Sequence, residues 1–332
     1  MDVFEPKSWE GGRPARQLVA RWRGQDAHAP DAPRSKRQRG QCRWLLPLIG
    51  AILVLAGAAR ADEKHFCWKV TSGKAVVYLF GSIHMGKADL YPLPRPIEDS
   101  FAKADRLVEE IDPNDKEDQA RVTRYIALQG VYGNGDSVEN HIGEATRIRL
   151  ADYAKKHQMG SMYRQAKPWL VGLLIAQSEA KRLGFDTEIG LDKHFLEEAA
   201  KLKKPIEGLE TGEFQIKLLS GFSDELQDQS LLATLLDAEK AQEMLERTMQ
   251  AWKAGDPAAL EDVVNYEVKR YPFLQTIVDK LLNERNDDMT KKIEGFLKTD
   301  SSYFVVVGAG HLVGKRGIVE QLRGKNYAIE QM

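Results

Sequence analysis

The sequence predicts an α/β domain in which one sheet is assembled from both ends of the chain and a large helical segment lies between. Three observations carry this. β-rich apolar runs occur near one end, "AVVYLF" (75–80) and "DRLVEEI" (105–111), and near the other, "YFVVVG" (303–308) and "YAIEQM" (327–332). Helical periodicity dominates residues 113–300. The two strongest apolar runs each break at a glycine, as strands do at a sheet edge.

The first segment, 1–61, stands apart from this domain. It carries 11 Lys/Arg and 5 Asp/Glu, so +6. The whole chain of 332 residues has 48 basic and 49 acidic residues, which leaves 37 basic and 44 acidic beyond residue 61, or −7. A mildly acidic body gives no footprint for nucleic acid, and none is expected as a partner. The basic run "RSKRQRGQCR" (34–43) leads into sixteen residues, "WLLPLIGAILVLAGAA" (44–59), and a small-x-small site, "ARA" (59–61). Those are the three parts of a secretory signal peptide. The apolar stretch is short for a membrane span, which needs about 20 apolar residues, and it contains Pro47. A signal anchor is the alternative, and the only membrane attachment expected. Residues 1–33 read as a disordered extension or a misplaced start. The body, 62–332, is expected as a single exported domain, in the periplasm or cell envelope. Its one cysteine, Cys67, can form no internal disulfide and no Cys-based zinc site.

In the body, 66–112 reads as strand, Pro-punctuated loop (87–96), helix (97–104) and strand. "WLVGLLIAQSEAKRL" (169–183) suits a buried helix, and 223–256 carries helical periodicity to Gly255 behind a Ser223 N-cap. "KPIEGLE" (204–210) reads as a short strand among helices. The end of the chain reads as strand, turn, helix (316–324) and strand.

The turn "GAGHLVGKRG" (308–317) fits no phosphate-binding template well. A P-loop would need glycine where Ala309 stands and a hydroxyl where Arg316 stands. A Rossmann turn matches Gly308, Gly310 and Gly314 loosely, but the chain has no room for further βαβ units. The better match is internal. "VVYLFGSIHMG" (76–86) and "FVVVGAGHLVG" (304–314) are each a β-rich run ending in G-x-x-H. If the strands are neighbours, both turns aim an imidazole into the crevice at the carboxyl edge of the sheet. "DRLVEEI" adds a carboxylate at the same edge, Glu110. His84, His311 and Glu110 together suit a divalent transition metal with open positions. Taken singly, each has a simpler reading, as a turn histidine or a solvated carboxylate.

"VYLFGSIHMGKADLYPLPRPIEDSFAKADRLVEEID" (77–112) resembles the opening signature of the TraB/GumN family, related to the Tiki metalloproteases that act on Wnt proteins and to plasmid pheromone-shutdown proteins. "GLDKHFLEEAAKLKKPIEGLET" (190–211), "ERNDDM" (284–289) and 305–331 are similar too, so the resemblance runs in order over about 66–332. It implies paired G-x-x-H turns and Mn²⁺- or Co²⁺-dependent peptide hydrolysis through His84, Glu110 and His311, with Zn²⁺ as a further metal. It also implies a donor pair, Arg285 and Asn286, that holds a substrate carbonyl or carboxylate. Glu210 is a further ligand, a general base or a helix cap. Glu109 departs from the family pattern, and strand alternation lets only one of Glu109 and Glu110 face the site. The general base is expected to be Glu109 or Glu210. The expected function is an exported metal-dependent hydrolase acting on a peptide or protein; the alternative is a protein that sequesters a peptide, haem or metal without turnover. No H-E-x-x-H helix and no G-x-S-x-G elbow is present.

Overall fold

In the computed structural model, which describes residues 64–332 apart from 134, six strands form one mixed sheet in the order β4-β3-β5-β2-β1-β6. They are β1 Cys67–Ser72, β2 Ala75–Ser82, β3 Arg106–Ile111, β4 Ile206–Glu210, β5 Ser302–Gly308 and β6 Ala328–Gln331. The sheet is drawn from both ends of the chain, as expected, and β4 joins it from within the helical segment. The basic extension and leader expected over 1–61 lie outside the described residues. Among the described residues no helix is long and apolar enough to cross a membrane.

β2, β5, β3 and β4 run parallel, so their carboxyl ends share one edge, while β1 pairs antiparallel with both β2 and β6. β2 and β5 are neighbours in a register that sets Gly81 opposite Val307 and Ser82 opposite Gly308. That register brings the two G-x-x-H turns side by side. Both strands are covered on both faces, which explains their unbroken apolar runs. Phe80 and Phe304 stack at 5.7 Å, with Phe101 and Phe195 packed against Phe304. Burying each such ring contributes about 1.5–3 kcal/mol.

The helical segment has a second core of its own, around Val138, Leu150, Val171, Ile175, Leu231 and Leu235. This division explains a departure from the sequence reading. Residues 223–256 are not one helix but two, Asp224–Asp237 and Ala241–Lys253, joined by a 3-10 turn, Ala238–Lys240. The first sends Leu231 and Leu235 into the second core, whereas the other sends Met249 and Trp252 into the sheet's core. One straight helix could not serve both. Ser223 caps the first helix, its Oγ accepting the Leu226 N–H at 3.3 Å.

Candidate functional site

The carboxyl edge of β2, β3 and β5 gathers His84, Glu110 and His311 around Gly308. A Cβ placed on Gly308 would stand 3.2 Å from His84 Nε2, 3.3 Å from Glu110 Oε1 and 3.7 Å from His311 Cδ2. The two motif glycines are therefore needed for space. Neither adopts a positive φ, unlike Gly314 at +78°. A Cβ on Gly81 would reach 2.5 Å from the Phe66 ring and 3.1 Å from Ala309 Cα. The Gly81 carbonyl also accepts the Trp252 indole N–H at 2.6 Å, which ties helix Ala241–Lys253 to the first turn.

Each histidine is held by its Nδ1, leaving Nε2 toward the Gly308 space. His311 Nδ1 lies 2.5 Å from Asn286 Oδ1, and Asn286 Nδ2 donates to the Arg316 carbonyl at 2.9 Å. A carbonyl only accepts, so the amide orientation is set, Nδ1 carries the proton and Nε2 keeps its lone pair. Burial lowers the His311 pKa to about 4, against the pull of Glu110, so the ring is neutral at neutral pH. His84 Nδ1 lies 3.1 Å from Asp192 Oδ2, while Asp192 Oδ1 accepts the Ser82 hydroxyl at 2.7 Å. Asp192 Oδ2 otherwise has no partner, so the His84 contact is an ion pair more than an aligned hydrogen bond. Asp192 raises the His84 pKa to about 9. Asp192 drives that rise, and burial acts against it. A close backbone approach makes this pairing possible. A Cβ on Gly190, the N-cap of helix Leu191–Leu202, would collide with the His84 carbonyl.

Glu110 divides its two oxygens. Oε1 accepts the Gly308 N–H at 2.7 Å and lies 3.7 Å from His311 Nε2. Oε2 accepts from Arg285 Nη2 at 2.5 Å and Gln215 Nε2 at 3.0 Å. Burial would raise the Glu110 carboxyl, but His311, Arg285, His84 and the Gly308 N–H outweigh it and hold the pKa at about 2. Arg285 also grips Glu210, its Nε and Nη2 lying 2.9 Å and 2.7 Å from Oε2, and Gln215 reaches Glu210 Oε2 at 3.1 Å. The remaining Arg285 nitrogen donates to the Leu281 carbonyl. Arg285 and Asn286 are thus turned toward the chain's own groups. They open helix Glu284–Phe296 directly after a single π-helical turn, Asp279–Asn283, a distortion that often marks functional positions. Both are buried, although their segment is polar throughout. Gln215 is placed by Asp118, which accepts the Gly212 N–H at 2.6 Å at the start of helix Gly212–Ser220.

Glu109 faces away from this group, as alternation along β3 requires. It is buried, its Oε1 has no partner, and burial followed by Asp192 and Glu110 raises its pKa well above the usual carboxylate range. His194 pairs with Glu98 at 3.0 Å. Sequence reasoning passed over Asp192, Ser82 and Gln215. The first two lie inside quoted motifs, "GLDKHF" and "GSIH"; nothing in the sequence signals Gln215.

The donor set suits a divalent cation by chemistry and orientation: two imidazoles with bare or exchangeable Nε2 atoms, each fixed from behind, and one carboxylate. A 3.7 Å separation between His311 Nε2 and Glu110 Oε1 matches two ligands at about 2.0–2.2 Å from a common ion. Among the described residues, however, no group of three or more His, Cys, Asp or Glu side chains is arranged to hold a metal ion as it stands. Arg285 already balances the Glu110 charge.

The profile of the TraB/PrgY/gumN family matches residues 66–331. "Uncharacterized protein YbaP" of Escherichia coli K12 is 26% identical over 286 residues, covering 84% of this chain and 100% of its own length. The protein of the same name in Shigella flexneri matches to the same extent. "Metalloprotease TIKI2" of Danio rerio is 22% identical, covering 87% of this chain and 67% of that protein. No solved structure gives a significant match.

Proposed function

The chain belongs to the TraB/PrgY/gumN family, and from that premise we propose that it is an exported metal-dependent hydrolase of peptide bonds in the cell envelope. The observation that carries this is the convergence of His84 Nε2, Glu110 Oε1 and the His311 ring on the space above Gly308, with each imidazole held through Nδ1. The distant likeness to a metalloprotease supports the reaction class.

A divalent ion such as Mn²⁺, Co²⁺ or Zn²⁺, held by His84, Glu110 and His311, would supply Lewis-acid polarisation of a scissile carbonyl and acidify water. The chain's own groups do the rest. Glu110 stays anionic because its neighbours favour the charged form. Asn286 and Asp192 act as positioning residues for the two imidazoles. Arg285 and Gln215 hold Oε2 of Glu110, which keeps Oε1 directed at the histidines. Of the two candidate bases, Glu109 faces away from the histidines, which leaves the role to Glu210, whose two oxygens are engaged by Arg285. Incubating the chain with a broad peptide library, with and without Mn²⁺ or Co²⁺, tests this. Metal-dependent cleavage that is lost in His84→Ala supports the proposal, and an uncut library refutes the hydrolase.

One observation favours a second reading. The Arg285 guanidinium already neutralises Glu110 and Glu210, which suits a site that sequesters a peptide, haem or metal without turnover. Export rests on the basic run, apolar stretch and small-x-small site of residues 34–61. Cell fractionation, which should place the chain outside the cytoplasm, checks it.

A further inference from the structure

The two paired turns are supported from behind in different ways. The first reads G-S-I-H and the second G-A-G-H, so the residue two before the histidine is Ser82 in one and Ala309 in the other. Ala309 has no polar side chain, and its methyl group would stand 3.2 Å from a Cβ on Gly81. His311 takes its support instead from helix Glu284–Phe296, through Asn286, whose amide is anchored in turn on the Arg316 carbonyl at 2.9 Å. Ser82 does carry a donor. It is buried, ends β2 opposite Gly308, and gives its one hydroxyl proton to Asp192 Oδ1 at 2.7 Å.

That bond decides where the Asp192 carboxylate points. Asp192 lies in the first turn of helix Leu191–Leu202, whose N-cap, Gly190, brings no side-chain cap. The first N–H groups of a helix have no intrahelical partner, and an acid in that turn can fold back onto them. One of them, the Leu191 N–H, donates to the Ile83 carbonyl at 3.2 Å and ties the helix start to the first turn. With Oδ1 committed to Ser82, Asp192 is held off its own helix and Oδ2 is left 3.1 Å from His84 Nδ1. The His84 side chain is 62% exposed, so packing alone gives its ring little to rest on.

We propose that Ser82 is a positioning residue for His84 and acts through Asp192: its hydroxyl fixes one carboxylate oxygen so that the other keeps the imidazole turned with Nε2 toward Gly308. The consequence for metal binding rests on the metal reading of the paired histidines; the chain of contacts does not.

The test is a ¹³C relaxation measurement on the metal-free chain carrying labelled histidine, read at the His84 ring with the His194 ring as control. His194 lies on the same helix, paired with Glu98 at 3.0 Å, so a general loosening of that helix moves both rings. Ser82→Ala should loosen the His84 ring and leave His194 unchanged. A Mn²⁺ titration then reads the consequence as a double-mutant cycle. Ser82→Ala should weaken binding about tenfold, the lower end of the effect of removing a partner behind a metal ligand. Added to Asp192→Ala, it should weaken binding no further. An unchanged His84 ring in Ser82→Ala, a loosening of His84 and His194 together, or an equal effect of Ser82→Ala with and without Asp192 would each overturn the proposal. If the unmodified chain bound no Mn²⁺, the metal reading would fail by itself, and the ring measurement would still decide the role of Ser82.

Discussion

The Gly308 N–H donates to Glu110 Oε1 at 2.7 Å, so the residue that makes room for the site also orients its carboxylate. A methyl group at this position would lie 3.2 Å from His84 Nε2 and 3.3 Å from Glu110 Oε1. His84 is exposed enough to swing aside. Gly308→Ala should therefore fold with a loss of less than about 1 kcal/mol while losing metal affinity. Gly81→Ala should behave in the opposite sense. Its Cβ meets the Phe66 ring at 2.5 Å, an overpacking that costs about 1–3 kcal/mol. Thermal melts and metal titration of both variants separate room for a ligand from room for packing.

Asp192 governs the ionisation of His84. In Asp192→Asn the His84 pKa should fall from about 9 toward 6.5, read from its ring proton shifts in an NMR titration. The folded pKa lies above the unfolded one, so the pair stabilises the fold fully below about pH 6.5, and the contribution is lost as pH rises through about 9. The variant should lose that part of the pH dependence. An unchanged His84 titration would show that Asp192 does not hold the ring.

Arg285 lies between two carboxylates whose side chains are only 12% and 7% exposed, Glu110 and Glu210. Arg285→Ala leaves both buried without a counter-charge and should cost about 3–5 kcal/mol in urea unfolding. Arg285→Lys keeps the charge but loses the fork, and should fall between.

Glu109 should act in the opposite direction on stability. Its raised pKa means that its contribution is present below the unfolded value, 4.5, and lost as pH rises. Glu109→Gln should leave the melting temperature unchanged at pH 4 and raise it at pH 8. Because Glu109 faces away from the paired histidines, the same variant should keep its hydrolysis while gaining stability. A stable variant without activity would return the role of base to Glu109.

Much of this arrangement was legible before the structure. The G-x-x-H pair marks two strand ends, and parallel neighbours in a sheet must present their carboxyl ends at one edge, which is why His84, His311 and Glu110 could be grouped by pattern. The roles of Gly81 and Gly308 were not legible, because a close approach by a distant side chain leaves no local trace. Arg285 and Asn286 sit in a segment whose polarity reads as a solvated face; their burial depends on Glu210, Glu110, Arg316 and His311 arriving from elsewhere in the chain. The break at Ala238–Lys240 comes from the competing demands of two cores, which local periodicity does not encode.

The most direct test of the paired-turn site is metal binding by the purified chain, measured by calorimetry with Mn²⁺ and Co²⁺ between pH 6 and 9. The account predicts one ion per chain. It also predicts an affinity that rises about tenfold per pH unit toward pH 9, as the ion displaces the proton from His84, and binding that is lost in both His84→Ala and His311→Ala while each variant stays folded. Binding that persists unchanged in both variants, or no binding by the unmodified chain, would contradict it.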